Sequence, residues 1–152
     1  MATKLLYIFG ISMLPVVELR GAIPVGVGLG VPFALVFLAA LAGNLAPVPL
    51  LILFTRRVFD WLRRKSALLG RLVARLEKKA ASKERLLKKY ELLGLFILVA
   101  VPLPGTGAWT GALVAAVFRI RLKHAFPVIA LGVLTAGVIV SVVTYGVSVF
   151  LT

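Results

Sequence analysis

The sequence predicts an all-α integral membrane protein. Its expected plan is an inverted repeat of a re-entrant helical hairpin plus a transmembrane helix, with a basic, cytoplasmic, amphipathic helical linker between the halves. Three observations predict this. Of the 152 residues, 61% are hydrophobic and mean hydropathy is +1.08, whereas an ordinary soluble domain is about half apolar. Pro and Gly cluster twice inside apolar sequence, at ELRGAIPVG (18–26) and PLPGTGAWTGA (102–112), where they interrupt a membrane helix. Positive charge is concentrated, with 13 Lys/Arg and 4 Asp/Glu in residues 56–91, a net of +9 out of +13 for the chain.

The length fits a single membrane domain over 1–152. Residues 1–31 form the first expected hairpin: an arm over Leu5–Leu14, a break over Pro15–Pro24 and a short return over Val25–Gly30; the rival is a full span with Lys4 inside, which the charge rule favours. MATKLLYIFGISMLP carries one Lys and no small-residue cleavage site follows it, so it is expected to stay in the mature chain. Residues 32–55 are a span. Within it Pro47 and Pro49 remove helix bonds to the carbonyls of Gly43 and Leu45, and Asn44 adds an amide at similar depth, so these groups are expected to face the hairpins.

Residues 56–91 read as one or two surface helices. Val58, Leu62, Leu69, Leu72, Val73, Leu76 and Ala80 fall on one face. Asp60–Arg64 and Glu84–Lys88 are acid-first i,i+4 pairs, and Ser82 is a fitting N-cap with Glu84 in the first turn. Residues 92–118 start and end beside basic stretches, the second being 119–124. Positive residues favour the cytoplasmic side, so this segment is expected to enter and return on one side, turning at PLPGTGAWTGA. Residues 125–151 are the last span. There Gly132, Ala136, Gly137 and Ser141 give small-residue spacing for close packing, either within the chain or at a homodimer seam; a homodimer is expected for so small a chain.

Several function classes are excluded or disfavoured. The chain has no Cys and one His, so no disulfide, thiolate site, metal site or cofactor is expected. No nucleophile–base pair is evident, which argues against an enzyme. The blockwise charge points to anionic lipid headgroups rather than nucleic acid as the partner.

Glu18 is the only acid inside an apolar segment and Arg20 the only base. Charge at membrane depth costs at least about 2.5–3.5 kcal/mol, so its presence needs a reason. Two residues apart they would diverge on a helix and share a face in extended backbone. One reading is a structural ion pair. The other is that Arg20 holds an anionic headgroup through its planar fork, with Glu18 as a proton-switchable neighbour. Burial favours the neutral form of Glu18 and Arg20 favours the charged form, which leaves the balance open. Gly21, Pro24 and Asn44 join this set. The second break adds Pro104, Gly105, Thr106, Gly107, Trp109 and Thr110, beside a helix start over Ala108–Phe118 whose N–H groups favour an anion.

ELRGAIP (Glu18–Pro24), AGNLAPVP (Ala42–Pro49) and PLPGTGAWTGAL (Pro102–Leu113) together resemble the small multidrug export protein family, itself similar at a distance to the DedA-like superfamily. The resemblance implies opposed re-entrant hairpins in the inner (cytoplasmic) membrane of a prokaryote, and movement of lipids such as polyprenyl phosphates, often proton-linked. It carries over no residue roles. The sequence also departs from the DedA-like pattern, because the second hairpin has no charge between Glu91 and Arg119. The resulting expectation is a translocase or scramblase of phosphate-headgroup lipid. Its rivals are a proton-coupled exporter of cationic drugs and a non-transporting organiser that binds anionic lipids.

Overall fold

A computed structural model describes residues 1–81 and 84–151, and these contain helices and no strand. The helices are α1 (Ala2–Ser12), α2 (Glu18–Gly28), α3 (Phe33–Leu45), α4 (Pro47–Lys65), α5 (Ala67–Ala81), α6 (Glu84–Ala100), α7 (Ala108–Val117) and α8 (Leu122–Leu151).

The first break is shorter than the sequence suggests. It covers residues 13–17, and α2 begins at Glu18, so Glu18 and Arg20 sit on a helix rather than on extended backbone. Pro24 lies inside α2. Lacking an N–H, it cannot bond to the Arg20 carbonyl, yet the helix continues through it. Lys4 Nζ donates to the Leu29 carbonyl at 2.8 Å, so the start of α1 and the end of α2 lie together.

The Pro47–Pro49 stretch does not end its helix. Ala46 keeps helical dihedrals (φ −55°, ψ −44°) between α3 and α4, and Pro47 opens α4, where a missing N–H costs least. Together α3 and α4 form an apolar run over Phe33–Lys65, 33 residues long and about 50 Å as helix, against a hydrocarbon core of about 30 Å. The expected span of 32–55 and the linker of 56–91 therefore share a continuous helix. The 56–91 segment is the tail of α4, then α5, then the start of α6. On its apolar face Val73 is buried while Leu72 is 51% exposed. Asp60 does not serve Arg64; it accepts from Arg119 Nη2 at 3.2 Å, across the molecule. The expected Ser82 cap and the side chains of Glu84 and Lys88 lie outside the described residues.

Packing links the two ends of the chain. α1 packs on α2 and α3, α6 packs on α7 and α8, α2 reaches α8, and α7 reaches α4. The core is Ile8, Leu19, Ile23, Val36, Val48, Ile52, Leu95, Val99, Ile129 and Val133, with alanines filling the tighter crossings. Buried Ser12 donates to the Ala40 carbonyl at 2.5 Å and ties α1 to α3. The small-residue stripe of α8 is spent inside the chain: Gly132 abuts Val99 and the Phe96 carbonyl, and Gly137 abuts Phe37 and Leu19.

The outside is as telling. Within the most apolar stretches of Phe33–Lys65 and Leu122–Gly146, only 33% of each is buried by protein. Leu38, Leu50, Leu53, Phe54, Leu131, Val138, Val142 and Val143 are all exposed. Apolar surface on this scale needs a nonaqueous solvent, and helices of this length satisfy their own backbone in one.

Candidate functional site

The two helix breaks meet. Trp109 Nε1, near the start of α7, donates to the Met13 carbonyl in the first break at 3.0 Å. This contact brings Glu18 and Arg20 onto the second break, about ninety residues away in sequence.

α6 stops at Ala100 because Pro102 and Pro104 follow, and a stopped helix leaves its last carbonyls without partners. Arg20 serves one of them, that of Val99, and two carbonyls just beyond the helix. Its Nη1 donates to the Leu103 carbonyl at 2.6 Å, and Nη2 reaches the Val101 carbonyl at 3.2 Å and the Val99 carbonyl at 3.5 Å. Nη2 also lies 3.0 Å from Thr106 Oγ1. That hydroxyl accepts from the Leu103 N–H at 3.2 Å and has the Val101 and Leu103 carbonyls at 2.8 Å to donate to. The turn is completed by Thr110 Oγ1 donating to the Gly105 carbonyl at 2.9 Å.

Glu18 does the reverse job at the other end of the break. α7 begins at Ala108, and its free N–H groups carry partial positive charge. The Trp109 N–H donates to Glu18 Oε1 at 3.4 Å. Gly107 has φ 126° and ψ −167°, a region essentially confined to glycine, and it lets the carboxylate pack directly against the backbone. Glu18 has φ 50°, a strained value for a residue with a side chain. Its Oε2 is 3.9 Å from Arg20 Nε. The acid thus faces a helix start and the base a helix end, and each is also close to the other. This arrangement compensates two charges in apolar surroundings. It also means that the α7 N-terminus, expected from sequence to attract an external anion, is occupied by the protein's own carboxylate.

Two spaces flank the pair. Outward lies a cleft of about 490 Å³ lined by Pro15, Val16, Pro102, Leu103, Pro104 and Gly105, with Glu18, Arg20, Thr106 and Thr110 as its polar groups. Inward lies a void too narrow for a water molecule, which Glu18 and Arg20 share with Asn44. Asn44 is 3% exposed, and no donor among the described residues reaches its Oδ1. An orphaned acceptor of this kind costs about 1–3 kcal/mol.

A family model described as "Putative small multi-drug export protein" matches residues 18–139. The chain belongs to that family. Its description and the two long apolar helices place the chain among membrane transport proteins. Among curated proteins and solved structures, none matches the chain. The matched region of this export-family chain begins at Glu18, where α2 starts, and contains the second break in full.

Of the residues expected at the site, Glu18, Arg20, Pro104, Gly105, Thr106 and Thr110 line the cleft. Asn44 and Gly107 line the void, and Trp109 joins the breaks. Gly21 and Pro24 are not at either space. Gly21 packs on Val17, and Pro24 is exposed on the opposite side of α2 from buried Ala22 and Ile23. Sequence reasoning missed Pro15, Val16, Pro102 and Leu103 on the cleft, and Leu19, Val99, Ala108, Val133 and Ala136 on the void. It also missed the partners of Arg20. A signal for those existed in part: Pro102 and Pro104 end α6 and leave carbonyls free at and beyond its last turn, and Arg20 is the only cation in an apolar segment. Among the described residues, no group of acids and histidines could hold a metal.

Proposed function

We propose that this chain moves amphipathic molecules with an anionic headgroup, phosphate-bearing lipids above all, across the membrane through the cleft where the two breaks meet. The observation that carries this is Arg20. It sits on the cleft, and every acceptor its Nη atoms hold is neutral: three backbone carbonyls and one hydroxyl. A phosphate offers the same planar fork a charged, two-pronged acceptor, and such bonds are about twice as strong as neutral ones. A headgroup that captures Arg20 releases residues 99–106 from it and loosens the contact between the breaks. Val16 and Leu103, 92% and 56% exposed, flank the cleft and give an acyl or prenyl chain a place outside it.

In this reading each helix pair is a re-entrant hairpin, the halves form an inverted repeat, and the site lies at the midplane where broken helices meet. Support comes from the ends. Lys4 bonds to Leu29, and Arg56 Nη2 bonds to the Ile120 carbonyl while Asp60 bonds to Arg119. These contacts are what a first helix pair that returns to its starting side would make, and they bring the start of the 56–91 stretch beside 119–120, an end that the charge rule favours for the cytoplasm. The crossed packing of α2 on α8 and α7 on α4 fits two halves related by a pseudo-twofold axis.

The test is lipid movement in proteoliposomes. A labelled phospholipid or polyprenyl phosphate in the inner leaflet is followed by its exposure to an external quencher, with and without a pH gradient. Fast exposure that Arg20→Ala abolishes is the expected result. Behaviour equal to empty liposomes for both lipids overturns the reading. Uptake of a cationic dye that needs Glu18 and tolerates Arg20→Ala would replace it with cation export.

A further inference from the structure

The cleft and the void are two rooms with a shared wall, since Glu18 and Arg20 line both. The void is also lined by Val99, Gly107, Val133 and Asn44. Asn44 is the chain's only Asn, it is nine-tenths buried, and its Oδ1 has no donor among the described residues. The buried Ser12 and Ser141 hydroxyls each bond to a carbonyl, whereas an apolar side chain in place of Asn44 would strand no acceptor. Buried orphans of this kind call for an explanation such as a ligand or a water that another state admits. The void in this conformation is too narrow for either.

We infer that this void is a gated inner subsite, with Asn44 as its ligand for a hydrogen-bond-donating group (water, or a hydroxyl of the travelling headgroup), opened when the Glu18–Arg20 wall parts. For the headgroup this rests on the transport reading above; for water it does not. The wall is held by Arg20 on the Val99, Val101 and Leu103 carbonyls and the Thr106 hydroxyl, and by Glu18 on the Trp109 N–H. Any event that draws Arg20 outward removes one side of it. Asn44, on the continuous α3–α4 run, becomes the next polar group inward.

The chain has no Cys, so one introduced thiol reports alone. Val133→Cys places a smaller side chain on the void wall. Its reaction with a charged, water-soluble methanethiosulfonate is timed in proteoliposomes, alone and combined with Thr106→Val or Arg20→Ala. Thr106→Val is the milder change and serves if Arg20→Ala does not fold. Slow reaction alone and reaction at least about tenfold faster in the combination is expected, because removing one such bond shifts an opening equilibrium by that order. Equal rates, or full reactivity without the second change, overturn the gate.

Asn44→Leu is the second arm. If Asn44 serves the open state, this variant keeps or gains resistance to unfolding, because the orphan is gone, and loses lipid movement. Unchanged lipid movement beside an active parent overturns the role of Asn44 as a headgroup ligand. If no lipid moves in any protein while the thiol still accelerates, the gated, water-admitting subsite stands and the lipid reading falls.

Discussion

Gly107 gives the sharpest test of the charge arrangement, with Gly105 as its internal control. Both glycines adopt positive φ, 126° and 80°, so alanine at either position pays a backbone strain of about 1–3 kcal/mol. They differ in what a Cβ would meet. At Gly105 nothing lies within 4 Å, whereas at Gly107 the Glu18 Oε1 and Cδ lie at 2.7 Å. The carboxylate must leave, and its charge-assisted bond from the Trp109 N–H goes with it, which adds about 1.5–3 kcal/mol. Gly107→Ala is therefore expected to cost about 2.5–6 kcal/mol and Gly105→Ala about 1–3 kcal/mol. Reversible unfolding of the detergent-solubilised protein by SDS, followed by Trp fluorescence and far-UV circular dichroism, measures both. In a Glu18→Ala background the excess at Gly107 should vanish, because the group it strikes is gone. Equal costs at the two glycines, or an excess that persists without the carboxylate, would refute the placement of Glu18 at the start of α7.

Other outcomes follow from the same geometry. Arg20→Lys keeps the charge but cannot bridge the Leu103 and Val101 carbonyls and Thr106 at once; a loss of about 1.5–3 kcal/mol in SDS unfolding and of lipid movement is expected. Trp109→Phe removes the Nε1 bond to the Met13 carbonyl and should cost about 0.5–1.5 kcal/mol by the same unfolding assay. Gly43→Ala drives a methyl into the Phe9 carbonyl, and separation of α1 from α3 should lower the melting temperature by an amount worth about 1–3 kcal/mol or more. Asp60→Ala breaks a pair whose side chains are 54% and 55% exposed, so the effect on unfolding should stay within about 1 kcal/mol and shrink further in salt.

The sequence by itself determined the membrane class, the two interruptions and the grouping of positive charge. Each of these is local: proline lacks an N–H wherever it stands, and a run of apolar residues avoids water whatever it packs against. Glu18 and Arg20 drew attention for the same reason, since a charge in apolar sequence needs compensation. What compensates them was not local. The acid lies on a helix start and the base on a helix end that come from the far half of the chain, and only packing of the two breaks against each other decides that. The same holds for Asp60, which takes Arg119 in place of its helical neighbour, and for Gly132 and Gly137, whose small size is used by α6, α3 and α2. The start of α2 at Glu18 also escaped the sequence, because Pro24 weakens a helix by one bond and neighbouring contacts decide whether that bond matters. Breakers fix where a chain is able to turn, and tertiary contacts fix which polar groups the turns bring face to face.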